Sequence, residues 1–212
     1  MEAELNKLSD EKADLEKVIH EFGVRHNTEL GELILRILRF KKDKSIGTPK
    51  EAEAENDYND YSREYEISKN EEIAELTKEQ QIEIKKLYRK ASKLCHPDVV
   101  SEEQKNLADK LFAELNAAYE RNDLVKAKAI LENLEYGDFF ISRSDVISEK
   151  QLMKAEIEKL HLRIKELKEE CQTIKKSEIY KTISSIDNWN DYFNSIKEKL
   201  VELITEFENG EQ

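Results

Sequence analysis

Glycine and proline are scarce in this chain, five and two among 212 residues, and so are the turns and tight backbone passages they build. That scarcity argues against a β-sandwich and against a compact α/β enzyme. There are only two cysteines, and Cys95 and Cys171 both fall at apolar helix positions, which suits reduced thiols in a reducing compartment rather than a disulfide framework. No apolar run approaches the roughly 18 to 20 residues of a membrane span, and Met1-Glu2-Ala3-Glu4 does not open a basic-then-apolar signal peptide. The expectation is a cytoplasmic or nucleoplasmic protein without membrane contact. Positive charge is in deficit too. A net charge of −12 argues against nucleic acid as a general partner and makes any basic surface local.

Charged residues at 39% and hydrophobic residues at 38% describe long, solvated helices, so an all-α fold is expected. Leu5, Leu8, Lys12, Leu15, Ile19 and Phe22 alternate steps of three and four, a heptad seam with one polar interruption. Gly23 and the stretch Arg25-His26-Asn27-Thr28 are expected to break it. A second helix follows from about Thr28 to Lys42, with Leu30, Leu33, Ile34, Ile37, Leu38 and Phe40 on more than one face. Residues 1–44 are therefore read as N-terminal coiled-coil helices. Gly47-Thr48-Pro49 stops the helix, and residues 45–69, dense in Glu51, Glu53, Glu55, Asp57, Asp60, Glu64 and Glu66, are read as an acidic linker. Tyr58, Tyr61 and Tyr65 recur in it at helical spacing, either docked on a neighbour or lying in solvent.

The organising stretch lies in residues 70–137. Thr77 and Gln80 have the spacing of a capping box, and the helix they open runs to Cys95. Ile84, Leu87, Tyr88, Ala91, Leu94 and Cys95 share one face; Lys85, Lys86, Arg89, Lys90 and Lys93 form a five-cation stripe on the other, expected in water. Pro97 cannot continue the helix, so His96 to Val100 form a turn. Ser101 is expected to cap a second helix, in which Ala108, Leu111, Phe112, Leu115, Ala118 and Tyr119 face the first across an antiparallel hairpin. Asn122-Asp123 caps a further helix carrying Leu124, Ala127, Ile130, Leu131 and Leu134, which Gly137 ends.

Residues 138–212 are read as C-terminal coiled-coil helices. Met153, Ile157, Leu160, Ile164, Leu167, Cys171 and Ile174 step in heptad order behind a capping box of Ser148 and Gln151. The pattern resumes with Ile186, Trp189, Phe193, Ile196, Leu200, Leu203 and Phe207. These seams want partners. The N-terminal helices would give a long helical hairpin or bundle split around the central hairpin, and a second copy of the chain would give a homodimer.

The segment from about Asn70 to Glu135 resembles a J domain, the module of DnaJ-type co-chaperones. The resemblance is carried by the basic helix from Glu83 to Lys90, the tripeptide His96-Pro97-Asp98, and the run from Phe112 to Tyr119. It implies a DnaK-type heat-shock ATPase as partner. Lys85, Lys86, Arg89, Lys90 and Lys93 would meet an acidic surface of that ATPase, and His96, Pro97 and Asp98 would reach its interdomain region and trigger ATP hydrolysis. It implies no cofactor and no metal, and leaves the coiled-coil flanks to bind a client protein or dimerise. The sequence departs from the family pattern in three places. No Tyr-Tyr-x-x-Leu-Gly first helix precedes Thr77, where Glu71 to Leu76 is at best a short substitute. Cys95 and Val99-Val100 stand where an aromatic and polar residues are common, and the helix after Tyr119 lacks the usual Asp-Pro and Lys-Arg pattern. Neither a Gly/Phe-rich linker nor a zinc module is found, so this is not a full-length DnaJ.

Plainer readings stand beside these. His96 and Asp98 have no nucleophile, phosphate cradle or second carboxylate with which to form an enzyme site. Cys95 beside His96 lacks the other ligands of a metal centre. The lysine stripe has an ordinary explanation as a solvated helix face, and the whole chain one as a coiled-coil scaffold or adaptor carrying a degenerate J-like element. The acidic stretch from Glu51 to Glu66 is a further expectation, as a mask for the cationic face.

Overall fold

The structure, a computed structural model, describes residues 1–71, 73–136, 140 and 150–210, with side chains from Met153 onward in the last stretch. The helix end at Gly137 and the Ser148–Gln151 capping box fall outside what is described. The fold is all-α. Helix α1 spans Glu2–Ser45, α2 Glu51–Ser68, α3 Lys78–Cys95, α4 Lys105–Glu120, α5 Leu124–Tyr136, α6 Lys150–Lys176, α7 Glu178–Ser184 and α8 Trp189–Asn209. No helix among the described residues is long and apolar enough to cross a membrane. The chain divides into two compact units, residues 1–20 with 73–181 and residues 21–72 with 182–212.

The expected break at Gly23 does not occur; α1 is continuous through it. An interior glycine costs a helix about 1 kcal/mol relative to alanine. Local contacts offset this: Thr28 Oγ1 donates to Val24 O at 2.9 Å, and Arg25 pairs with Glu29 one turn on at 2.5 Å.

In the first unit α3, α4 and α5 enclose one core. Ile84, Tyr88, Ala91 and Cys95 of α3 meet Leu115, Ala118 and Tyr119 of α4 and Ala127, Ile130, Leu131 and Leu134 of α5. The capping box forms as expected: Gln80 N–H donates to Thr77 Oγ1 at 3.3 Å, and Thr77 N–H to Gln80 Oε1 at 3.0 Å. The buried face of α3 is rotated from expectation, with Ser92 inside and Leu94 at the surface. The cause is a third neighbour, since α1 covers the Ser92 side through Asp10. Ser101 precedes a 3-10 turn, Glu102–Gln104, and does not cap α4. Asn122 supplies the left-handed residue after α4, at φ 59°, and Asp123 Oδ1 accepts from Lys126 N–H at 2.9 Å to start α5.

Residues 1–20 of α1 run parallel to α6. Glu4 meets Lys168 at 2.6 Å and Glu11 meets Lys175 at 2.5 Å, both 164 residues apart in sequence. Between them Leu5, Leu160, Ile164 and Leu167 bury together with Val99 of the turn, and Leu8 packs on the cluster. This pairing is within the chain. It corrects the first two positions of the α6 seam: Met153 and Ile157 are 46% and 42% exposed, because in this register they lie ahead of Glu2.

In the second unit residues 45–69, expected as a linker, are helical from Glu51 to Ser68, and Glu51 and Glu53 favour its positive end. Ala54, Tyr58, Tyr61, Tyr65 and Ser68 form a half-buried stripe on α2. The tyrosines dock on α1: Lys42 Nζ sits 5.3 Å from the Tyr58 ring centroid, Asn27 Nδ2 donates to Ser68 Oγ at 2.7 Å, and the Tyr65 ring lies against Gly31. Helix α8 runs parallel to the same part of α1. Phe22 packs against Phe193 and Trp189, Phe40 against Phe207, and Arg36 pairs with Glu208. The α8 seam lies inward as expected, with Ile204 added to it.

The two glycines of α1 predict opposite outcomes. A methyl at Gly23 meets nothing within 4 Å, whereas one at Gly31 overlaps the Tyr65 ring. Gly23→Ala should stabilise the protein by up to about 1 kcal/mol and Gly31→Ala should destabilise it, as read from urea unfolding midpoints.

Candidate partner-docking site

The site is built where α3 ends. His96 leaves the helix with extended backbone, φ −66° and ψ 120°, as a residue before proline must. Val99 N–H closes the turn on His96 O at 3.0 Å. Asp98 N–H donates to His96 Nδ1 at 3.2 Å, which assigns the ring proton to Nε2; that nitrogen faces Ser9 Oγ at 3.2 Å and is the donor. The ring packs on Phe112, centroids 4.9 Å apart, and His96 is only 3% exposed. Burial holds its pKa well below the ordinary value, at about 4, with Arg163 pushing the same way against Asp98.

Asp98 is engaged as well. Its Oδ2 accepts from Arg163 Nε of α6 at 3.1 Å, and Arg163 Nη1 is held by Glu166 and Glu170, each at 3.2 Å. A cavity of about 330 Å³ beside the turn is lined by His96, Asp98, Phe112, Arg163, Lys12 and Glu16, a mixed-charge lining without net preference for either sign.

The cationic stripe is not wholly in water, which corrects the expectation. Lys85 Nζ meets Asp14 Oδ2 at 2.5 Å; Arg89 meets Asp14 at 3.4 Å and Asp10 at 3.9 Å; Lys90 pairs with Glu135. Lys86 and Lys93 are exposed. Asp10 also accepts from Ser92 Oγ at 3.1 Å, and its burial raises its pKa in spite of Ser92, Arg89 and Lys93. Beneath the stripe Tyr88 stacks on Tyr119 at 4.3 Å and donates to Asn116 Oδ1 at 2.8 Å, while Tyr119 Oη donates to Asp14 Oδ1 at 2.6 Å. The carboxylates the structure places on these cations are thus those of Asp10, Asp14 and Glu135.

Sequence reasoning missed Ser9, Asp10, Asp14 and Arg163. Asp10 and Asp14 had a legible signal: two acids four residues apart on a seam helix match Lys85 and Arg89, also four apart. Arg163 had none. Among the described residues no group of three or more His, Cys, Asp or Glu side chains is placed to hold a metal ion. The Cys95 thiol, pushed up to about 12 by burial, donates to Ala91 O at 3.3 Å and behaves as a small hydrophobe.

Residues 72–121 match the family model of the DnaJ domain. The chain carries a DnaJ domain. Neither the comparison with curated proteins nor that with solved structures gives a match. The matched DnaJ residues end at the last turn of the α3–α4 hairpin, so α1, α5 and α6 lie outside them. Two departures from the family pattern acquire physical reasons. Val99 and Val100 are apolar because they are buried, Val99 among α1 and α6 residues, and Cys95 fills the DnaJ core. The described residues of 71–76 are not helical; Ala74 N–H instead reaches Arg121 O at 3.2 Å.

The buried neutral His96 predicts a pH dependence. Its folded pKa lies below the unfolded value of 6.5, so between pH 6.5 and about 4 the unfolded chain holds a proton that the folded chain does not. The contribution is complete above pH 6.5 and is lost as pH falls through that window. Urea midpoints measured at pH 7 and pH 5 should drop more for the parent than for His96→Gln.

Proposed function

We propose that this chain is a co-chaperone that stimulates ATP hydrolysis by a DnaK-type heat-shock ATPase and hydrolyses nothing itself. The observation that carries this reading is the His96-Pro97-Asp98 turn, braced between α3 and α4 inside the residues that match the DnaJ domain. Cations on α3 steer an acidic partner surface at little energetic cost, and Asp98, on a backbone fixed by Pro97, makes one directional, charge-assisted contact. Docking acts by favouring one conformation of the partner. The flanking helices are the place for a client protein or a second copy.

A second reading, a helical scaffold or adaptor whose DnaJ domain is purely structural, is favoured by the burial of His96 and the pairing of Asp98 with Arg163. Single-turnover ATP hydrolysis by a DnaK-type chaperone separates the two. The parent should accelerate it, and Asp98→Asn and His96→Gln, checked for folding by circular dichroism, should lose about ten-fold or more of that effect, as expected for loss of a charged hydrogen bond. A folded parent that accelerates nothing across several such chaperones supports the scaffold.

A further inference from the structure

The DnaJ turn and the cationic helix carry groups expected to meet a partner, and apart from the exposed Lys86 and Lys93 the charged and polar ones are already met within the first unit. His96 Nε2–H is satisfied by Ser9 and Asp98 by Arg163. Lys85 and Arg89 are satisfied by Asp14 and Asp10. Three groups from α1 and one from α6 therefore stand where an acidic partner and its donor to Asp98 would stand.

We infer that residues 1–20 of α1, together with α6, form an intramolecular latch that imitates the acidic docking surface of the ATPase and must be displaced for docking; this rests on the co-chaperone reading. The chemistry on the two sides is the same. Asp10 and Asp14 present carboxylates to α3, and Arg163 presents a guanidinium to Asp98. Because the latch is tethered to its target, it competes at a high effective concentration, and an incoming ATPase has to exceed it. The latch is an equilibrium device: although Asp10 and His96 are enclosed, the pairs of Asp14 with Lys85 and Arg89 and of Arg163 with Asp98 lie on half-exposed side chains, so water and salt reach them.

The alternative is a permanent brace, in which α1 and α6 only stabilise the DnaJ hairpin. The two differ in what weakening the contacts does. The full chain is compared with Asp10→Asn/Asp14→Asn and, separately, with Arg163→Gln. The latter lies at the surface of α6 and leaves the α1 contacts with α3 intact, so it serves if the double variant folds poorly. The readout is single-turnover ATP hydrolysis by a DnaK-type chaperone at sub-saturating concentrations of the chain, across a salt series.

A latch predicts about five-fold or greater stimulation by the variants over the parent. It also predicts a shallower salt dependence for the parent, since salt loosens the latch as it weakens docking. A parent that stimulates as well as or better than both folded variants, with the same salt slope, overturns the latch and leaves the co-chaperone reading in place. No stimulation by any of them overturns the co-chaperone reading, and the latch falls with it.

Discussion

The burial of Val99 against Leu5, Leu160, Ile164 and Leu167 ties the His96-Pro97-Asp98 turn to the helices around it. Val99 follows Asp98 directly, so wherever its side chain is held, the tripeptide is held too. Burying an aliphatic side chain of this size contributes about 1.5 to 3 kcal/mol, whereas a half-exposed ion pair contributes at most about 1 kcal/mol. The apolar contact therefore supplies the adhesion of α1 and α6 to the turn. The ion pairs supply its register.

That division explains why charged residues gather on α1 without forming a buried network. Asp10 is the most enclosed of them, and burial raises its pKa while Ser92, Arg89 and Lys93 oppose the shift. Asp14 bridges outward, to Lys85, Arg89 and the Tyr119 hydroxyl, and so joins the cationic helix to the aromatic stack beneath it. The cationic helix is consequently packed against carboxylates of the chain's own α1, and under the proposed latch recruitment becomes a competition between an internal and an external set of carboxylates.

The α3–α4 hairpin was legible in the sequence because local rules govern it: Thr77 and Gln80 start α3, Pro97 stops it, and heptad-like spacing orients both helices. Rules of the same kind misplace the acidic stretch. Charge density suggests a solvated linker, but Tyr58, Tyr61 and Tyr65 at helical spacing decide in favour of a docked helix once Gly31 admits the Tyr65 ring. Gly23 misleads in the same way, since one glycine cannot interrupt a helix packed on both sides of it. The pairing of α1 with α6 was legible only as a demand for partners. Arg163 is illegible in principle, because its meaning depends on a register 164 residues long that no local pattern encodes.

The most direct measurement of the competition is carbodiimide footprinting of carboxylates, read by mass spectrometry, on the full chain with and without an ATP-bound DnaK-type chaperone. In the free chain Asp10, Asp14 and Asp98 should label slowly relative to exposed acids such as Asp187. On docking Asp10 and Asp14 should become reactive, having given up Lys85 and Arg89, while Asp98 stays protected by its new partner. Asp10 and Asp14 that remain protected while the chaperone is demonstrably bound would contradict the claim that the chain's own helices occupy the docking surface.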